Sequence, residues 1–283
     1  MGGLDPQTLL TLAGVAAAAG IVGGILAGLL GVGGGIVIVP ALYLSLSLTG
    51  MNTALIMQVA VGTSLATIVF TALSSGYGHY KKGAIDTDLL KLWAPSILVG
   101  VVIGAVLGGV VSGLALVGVF ATVAIFVAAD MILRKGADSD SPRSFSKPVW
   151  AFFGVIAGGI SAMMGIGGGT VCVPLLNFLG YDIRRAVGTS AAIGFIIGVP
   201  GAVIYALTGL GQEGLPPFSL GYVNLLLAVV IIPLSASFAR VGVRLAHAIP
   251  RRALRLSFGI FLMITALRMY WDLYNALGAP PAT

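Results

Sequence analysis

A run of backbone N–H groups released by glycine is the chemistry this chain offers most plainly, and it offers it twice. Gly31-Val32-Gly33-Gly34-Gly35-Ile36-Val37-Ile38-Val39-Pro40 returns as Gly165-Ile166-Gly167-Gly168-Gly169-Thr170-Val171-Cys172-Val173-Pro174. Glycine lets the backbone leave a helix and exposes its polar groups. A helix that restarts just after such a run presents free N–H groups and a positive dipole end, which bind anions. Gly33, Gly34, Gly35, Gly167, Gly168 and Gly169 are therefore the first candidates for an anion site. Gly31 and Gly165 open the breaks. Pro40 and Pro174 are expected to reinforce them, because each removes a donor and disfavours the α region for the valine before it.

Hydroxyls repeat beside the glycines. Val61-Gly62-Thr63-Ser64 recurs as Val187-Gly188-Thr189-Ser190. Thr63, Ser64, Thr189 and Ser190 are the second candidates, although buried hydroxyls often bond back to their own helix. Thr170, Gln58, Cys172 and Asn177 follow; Ile36 stands opposite Thr170 in the first half. Asp5, Asp86, Asp88, Asp130, Asp138, Asp140, Asp182, Glu213 and Asp272 all fall in loops or near segment ends. Transporters that bind protons or sodium usually keep a carboxylate at depth. This chain offers a cation little and an anion a good deal. Asp130 sits four residues before Arg134, the spacing of a surface helix pair.

The elements that must position these groups are membrane-grade. The chain is 58% hydrophobic and 8% charged, with a mean hydropathy of +1.08. Soluble domains carry about 25% charged residues. Ten hydrophobic segments run over 9–30, 36–48, 53–76, 89–111, 114–133, 149–165, 170–180, 186–209, 221–245 and 254–274. Runs of about 20 apolar residues suffice to cross a hydrocarbon core. The expectation is an all-α polytopic membrane protein. Met1–Thr8 has no basic residue, so the first segment reads as a retained helix rather than a cleaved signal. One cysteine, Cys172, rules out an internal disulfide and a Cys-based metal cluster. No cofactor is implied. The formal charge of +6 reflects loop placement and not a nucleic-acid partner.

Lysine and arginine alternate strictly between loops. Lys81, Lys82 and Lys91, then Arg134, Lys135, Arg143 and Lys147, then Arg184 and Arg185, then Arg244, Arg251, Arg252 and Arg255 mark one side. The loops Ser47–Asn52, Val111–Leu114 and Leu210–Leu220 carry none. The basic loops are assigned to the cytoplasm and both termini to the outer side of the cytoplasmic membrane. Equivalent loops of the two halves differ in basicity, which demands an odd number of crossings per half. Two inverted repeats of about five segments each satisfy this, with residues 1–133 as the first repeat, 134–148 as a cytoplasmic linker and 149–283 as the second. Pro95 and Gly104 match Pro233 and Gly242 at one spacing of 138 residues. The glycine phrases are 134 apart and the Gly-Thr-Ser elements 126, so the first half holds eight extra residues between them and its register near Met51–Met57 is open.

Each glycine phrase is followed by a short segment. Val37–Leu48 has 12 residues, about 18 Å of helix, little more than half a crossing. Irregular backbone at membrane depth is tolerated where protein or a water-filled cavity surrounds it. In inverted halves, both restarts would turn their N-termini toward one central site. Gly24/Gly28, Gly100/Gly104/Gly108, Gly154/Gly158 and Gly194/Gly198 have the spacing of close helix packing instead. A dinucleotide fingerprint is a poor reading, since no βαβ unit or ribose-binding acid accompanies the phrase. Arg240 and Arg268 are the bases most embedded in apolar segments. Snorkelling explains them; gates drawing anions to either mouth are the sharper alternative. His79 and His247 lie at cytoplasmic loops.

Gly-x-Gly-Gly-Gly-x-x-x-x-Pro in both halves, Gly-Thr-Ser downstream and the Arg-rich loop before Leu254–Met269 resemble the sulfite exporter TauE/SafE family of membrane permeases. The resemblance covers about residues 10–275. It implies transport of a small sulfur-containing anion such as sulfite, sulfoacetate or a related organosulfonate, mostly outward. It does not name the substrate. An anion channel, or an importer of another such anion, is the alternative. An intramembrane hydrolase would need a histidine beside Ser64 or Ser190, and both histidines lie at the edge. The partners expected are a small inorganic or organic anion and the lipid bilayer. Oligomeric state is open, a homo-oligomer included.

Overall fold

Several of the long helices begin where a short polar side chain takes the first free N–H groups, and these caps recur in both halves. Asn52 accepts from the Ala54 N–H, and Asp182 from those of Arg184 and Arg185. Asp86 accepts from the Leu89 N–H at 3.0 Å, and Asn224 from Leu227 at 3.0 Å. The computed structural model describes residues 6–49, 51–133, 146–245 and 251–278. Most of the expected linker, the expected Asp130–Arg134 pair and His247 lie outside the described residues.

Among the described residues there are ten helices: α1 Pro6–Leu30, α2 Gly35–Ser47, α3 Thr53–Lys81, α4 Thr87–Val110, α5 Gly113–Leu133, α6 Lys147–Met164, α7 Gly169–Phe178, α8 Ile183–Thr208, α9 Leu225–Leu245 and α10 Arg251–Gly278. Seven of these are long and apolar enough to cross a membrane, and α2 is a shorter apolar helix. The protein is a multi-pass, all-helical membrane protein.

Glycine stripes set the helix pairs. Helix α1 lies along α9 in the same direction, with Gly20 against Ile231 and Leu234, Gly24 against Ser235 and Gly28 against Ala239. Helix α4 lies along α6 in the same way, with Gly100 against Val155 and Gly104 against Gly159. Helices α3 and α8 run antiparallel, Gly194 meeting Ala72 and Gly198 meeting Leu65 and Val69. Helices α5 and α10 also run antiparallel, Gly118 facing Leu273 and Gly259 facing Ala128 and Met131. At most of these contacts a side chain on the glycine would run into the neighbour's backbone, so the small residue permits the close approach. The set of pairs keeps its form when the two halves are exchanged.

Two expectations need correction. The segment expected from 221 opens on the second strand of a short ribbon, Val223–Asn224 paired antiparallel with Ser219–Leu220, and α9 starts only at Leu225. Pro40 and Pro174 do not break the chain, since α2 and α7 run through them. Each is the sixth residue of its helix, so each removes only the N–H that would have met the carbonyl of Ile36 or Thr170. The open register near Met51 also resolves. Helix α2 has 13 residues against 10 in α7, the following loop has one residue more than its counterpart, and α3 starts nine residues before Gly62 whereas α8 starts five before Gly188.

Candidate functional site

The two glycine runs meet at the heart of the bundle. They pass each other antiparallel: Gly31 faces Gly169, Gly33 faces Gly167, and Gly35 faces Gly165. A Cβ added to Gly33 would lie 2.9 Å from the Gly167 Cα, and one added to Gly167 would lie 2.9 Å from the Gly33 Cα. Residues 31–40 and 164–170 are all buried.

Local conformation explains part of the glycine content. Gly31, Gly33 and Gly34 have φ of 68°, 73° and 80°, whereas in the second run only Gly165, at 66°, is left-handed. Gly34 caps α2 in the left-handed region; Gly168 caps α7 in the ordinary helical region. The two runs are thus alike in sequence and path but not in backbone conformation.

The crossing leaves donors without acceptors. Among the described residues, neither Gly33, Gly34, Gly35 nor Ile36 finds a backbone carbonyl for its N–H, and in the second run the same holds for Gly167, Gly168 and Gly169. Buried backbone donors are nearly always paired. The start of a helix is where such orphans occur, and here the runs into two helix starts cross, each start lying against the glycine that opens the other run.

The repeated hydroxyls divide into two kinds. Ser64 donates to the Gly165 carbonyl at 2.7 Å, tying α3 to the second glycine run. Thr63 accepts from the backbone N–H of Asn224 at 2.9 Å, and Thr189 from that of Asp86 at 2.9 Å. Each threonine oxygen therefore holds the first residue before a helix of the opposite half, and is occupied away from the crossing. Asp86 also pairs with Arg185 at 2.9 Å, so α8 grips the start of α4 twice.

Among the described residues, four buried side-chain atoms have no partner: the hydroxyls of Ser161, Thr170 and Ser190, and Oε1 of Gln58. Gln58 donates through Nε2 to Val111, and Asn177 to Tyr181 at 3.4 Å; Cys172 is fully buried. An unsatisfied buried polar group costs about 1–3 kcal/mol. Ser161, in the last turn of α6, is absent from the sequence-derived candidates. Comparing the halves exposes it, because the matching position holds Ala27.

Arg240 and Arg268 are exposed, and Arg268 pairs with Asp272 at 3.3 Å one turn on. His79 is buried, with Nε2 3.2 Å from the Gly28 carbonyl.

A sequence profile described as "Sulfite exporter TauE/SafE" matches residues 16–269. This chain belongs to the TauE/SafE family. A "Probable membrane transporter protein" of Haemophilus influenzae is 33% identical over 251 residues, covering 89% of this chain and 95% of that one. A relative of the same description from Methanocaldococcus jannaschii is 28% identical, covering 88% and 92%. YunE of Bacillus subtilis, also described so, is 25% identical over 89% and 95%. No solved structure matches the chain. As a TauE/SafE member with such relatives, the protein is a membrane transporter.

Proposed function

We propose that this transporter exports a small sulfur-containing anion, sulfite or an organosulfonate such as sulfoacetate, through a site at the crossing of the two glycine runs. The observation that carries the reading is the antiparallel crossing of the two runs that lead into α2 and α7, whose buried N–H groups donate to no backbone carbonyl among the described residues. A desolvated anion is the partner such a cluster suits best, because dipole and donors act together in low dielectric. Gly33, Gly34, Gly35, Gly167, Gly168 and Gly169 line this site, with Thr170 and Ser190 adding hydroxyls. Thr63 and Thr189 support it by fixing the helices around it.

The mechanism is alternating access between inverted halves. The exchange-invariant helix pairs support the inversion: first and fourth helices of opposite halves run parallel, while third helices and fifth helices run antiparallel. That is what chains of alternating direction give when each half crosses an odd number of times. A carrier is favoured over a channel because the runs touch backbone to backbone and every residue at the contact is buried. Basic loops gather the anion at the cytoplasmic face. An inside-negative potential then drives its exit, at about 2.3 kcal/mol per charge per 100 mV, so no coupling cation is required. Arg240 and Arg268, exposed on their helices, serve as interfacial anchors.

Proteoliposomes loaded with sulfite, held at a clamped potential, test the reading. Efflux should saturate, show counterflow, and respond to competing sulfoacetate. Gly34→Val and Gly168→Val should insert normally and carry nothing. Wild-type flux in either variant would remove the site from the glycine crossing, and unsaturable flux would make the protein a channel.

A further inference from the structure

We propose that the site is one-sided in its side chains: Ser161, Thr170 and Ser190 of the second half grip the anion's oxygens, while the matching side chains of the first half are apolar or already bonded. The inference rests on the anion site proposed above. All three hydroxyls are buried and unpartnered. All three belong to the neighbourhood of the second glycine run. Ser161 lies in the last turn of α6, and its own carbonyl accepts the Ile166 N–H at 3.0 Å. Thr170 is the second residue of α7. Ser190 lies on the face of α8 that sets Val187 against Gly31 and Ile193 against Gly168, residues three apart and so on one side of a helix.

The equivalent side chains in the first half offer no free donor. Ala27 stands for Ser161, Ile36 for Thr170, and both are fully buried. Ser64 stands for Ser190, but its proton is already given to the Gly165 carbonyl. Two halves that share a path thus differ where chemistry is concerned.

This asymmetry selects a class of ligand. Three O–H donors and the N–H groups of Gly167–Gly169 match a head with three oxygens. The wall near Ala27 and Ile36 matches a fourth substituent that needs no hydrogen bond, a lone pair in sulfite or carbon in a sulfonate. Sulfate would turn its fourth oxygen to a side where no side-chain hydroxyl is free to meet it and only backbone N–H groups remain, so it is held less well than a ligand with three oxygens, because a poorly paired buried polar group costs affinity.

The test uses the full chain in lipid nanodiscs, with thermal unfolding read against sulfite, methanesulfonate, sulfate and chloride. Sulfite and methanesulfonate should raise the midpoint more than sulfate does; chloride should not raise it. Ser161→Ala, Thr170→Val and Ser190→Ala should each need about tenfold more sulfite for the same rise, as expected for losing one hydrogen bond to a charged ligand. Ser45→Ala removes a buried hydroxyl that bonds within α2 and should respond like wild type. Thr170→Ser and Ser190→Thr keep the hydroxyl, and should keep the response where an alanine variant folds poorly. A wild-type protein that no anion stabilises would mean the hydroxyls hold water, and the proposal falls. So it does if the three variants respond like wild type, or if sulfate stabilises as well as sulfite. Flux is scored separately: stabilisation without transport would sink the export reading and leave this site standing, whereas saturable flux with unchanged half-saturation in the variants would do the reverse.

Discussion

Two methyl groups placed at one contact separate crowding from backbone strain. Gly33 and Gly167 approach the same point from opposite runs, and an added Cβ on either lies 2.9 Å from the other's Cα. Carbon atoms rest at about 3.5–4.0 Å, so either alanine must push the runs apart by roughly 0.6–1 Å. Overpacking of that kind costs about 1–3 kcal/mol. The conformational cost is not shared. Gly33 sits at φ 73°, whereas Gly167 is not among the left-handed glycines. Alanine in the left-handed region adds about 1–2 kcal/mol. Gly33→Ala should therefore be less stable than Gly167→Ala by about 1–2 kcal/mol, although both methyls fill the same gap.

The assay is unfolding of purified variants in mixed micelles by titration with sodium dodecyl sulfate, with flux measured in parallel. In the double variant the methyls confront each other, so the loss should exceed the sum of the single losses, as neighbouring sites allow. Two single variants as stable as wild type would mean that the runs do not cross backbone to backbone. Equal losses would mean that the left-handed turn at Gly33 is not held in the folded protein.

Ser64→Ala deletes the donor to the Gly165 carbonyl and should destabilise by about 1–3 kcal/mol, whereas Ser190→Ala loses no bond, removes an unpartnered buried hydroxyl and should leave the ligand-free protein as stable or up to about 1–3 kcal/mol more stable; denaturant titration checks both. Thr63→Val and Thr189→Val each orphan one N-cap N–H, so their losses should agree within about 0.5 kcal/mol, and a large difference would contradict the matched roles. Asp86→Asn keeps the cap but removes the Arg185 pair, whose arginine side chain is 51% exposed; the loss should be under about 1 kcal/mol and should shrink with salt. Arg240→Gln and Arg268→Gln should leave the sulfite half-saturation of efflux unchanged; a large rise in either would restore a gating role.

The helical bundle was legible because apolar length, loop charge and glycine punctuation are local signals. The doubled glycine phrase marked the central contact for the same reason. The antiparallel crossing of the runs was not legible, since nothing in either phrase says which glycine faces which. Pro40 and Pro174 misled for a physical reason: six residues into a helix, a proline deletes one hydrogen bond and leaves the others to carry the helix onward. The roles of Thr63 and Thr189 are tertiary, but half of their signal was available. Asp86 and Asn224 each precede a helix start, at the same 138-residue spacing as Pro95 and Pro233, and both are capping residue types. Ser161 could also have been found by asking where the repeat departs from itself. Repetition in the two halves preserves what builds the bundle: caps, glycine contacts and the run itself. A polar residue that one half has and the other lacks, as Thr170 has against Ile36, answers to something the shared architecture does not require. In a bundle whose helix pairs survive exchange of the halves, those departures are the best places to look for the ligand.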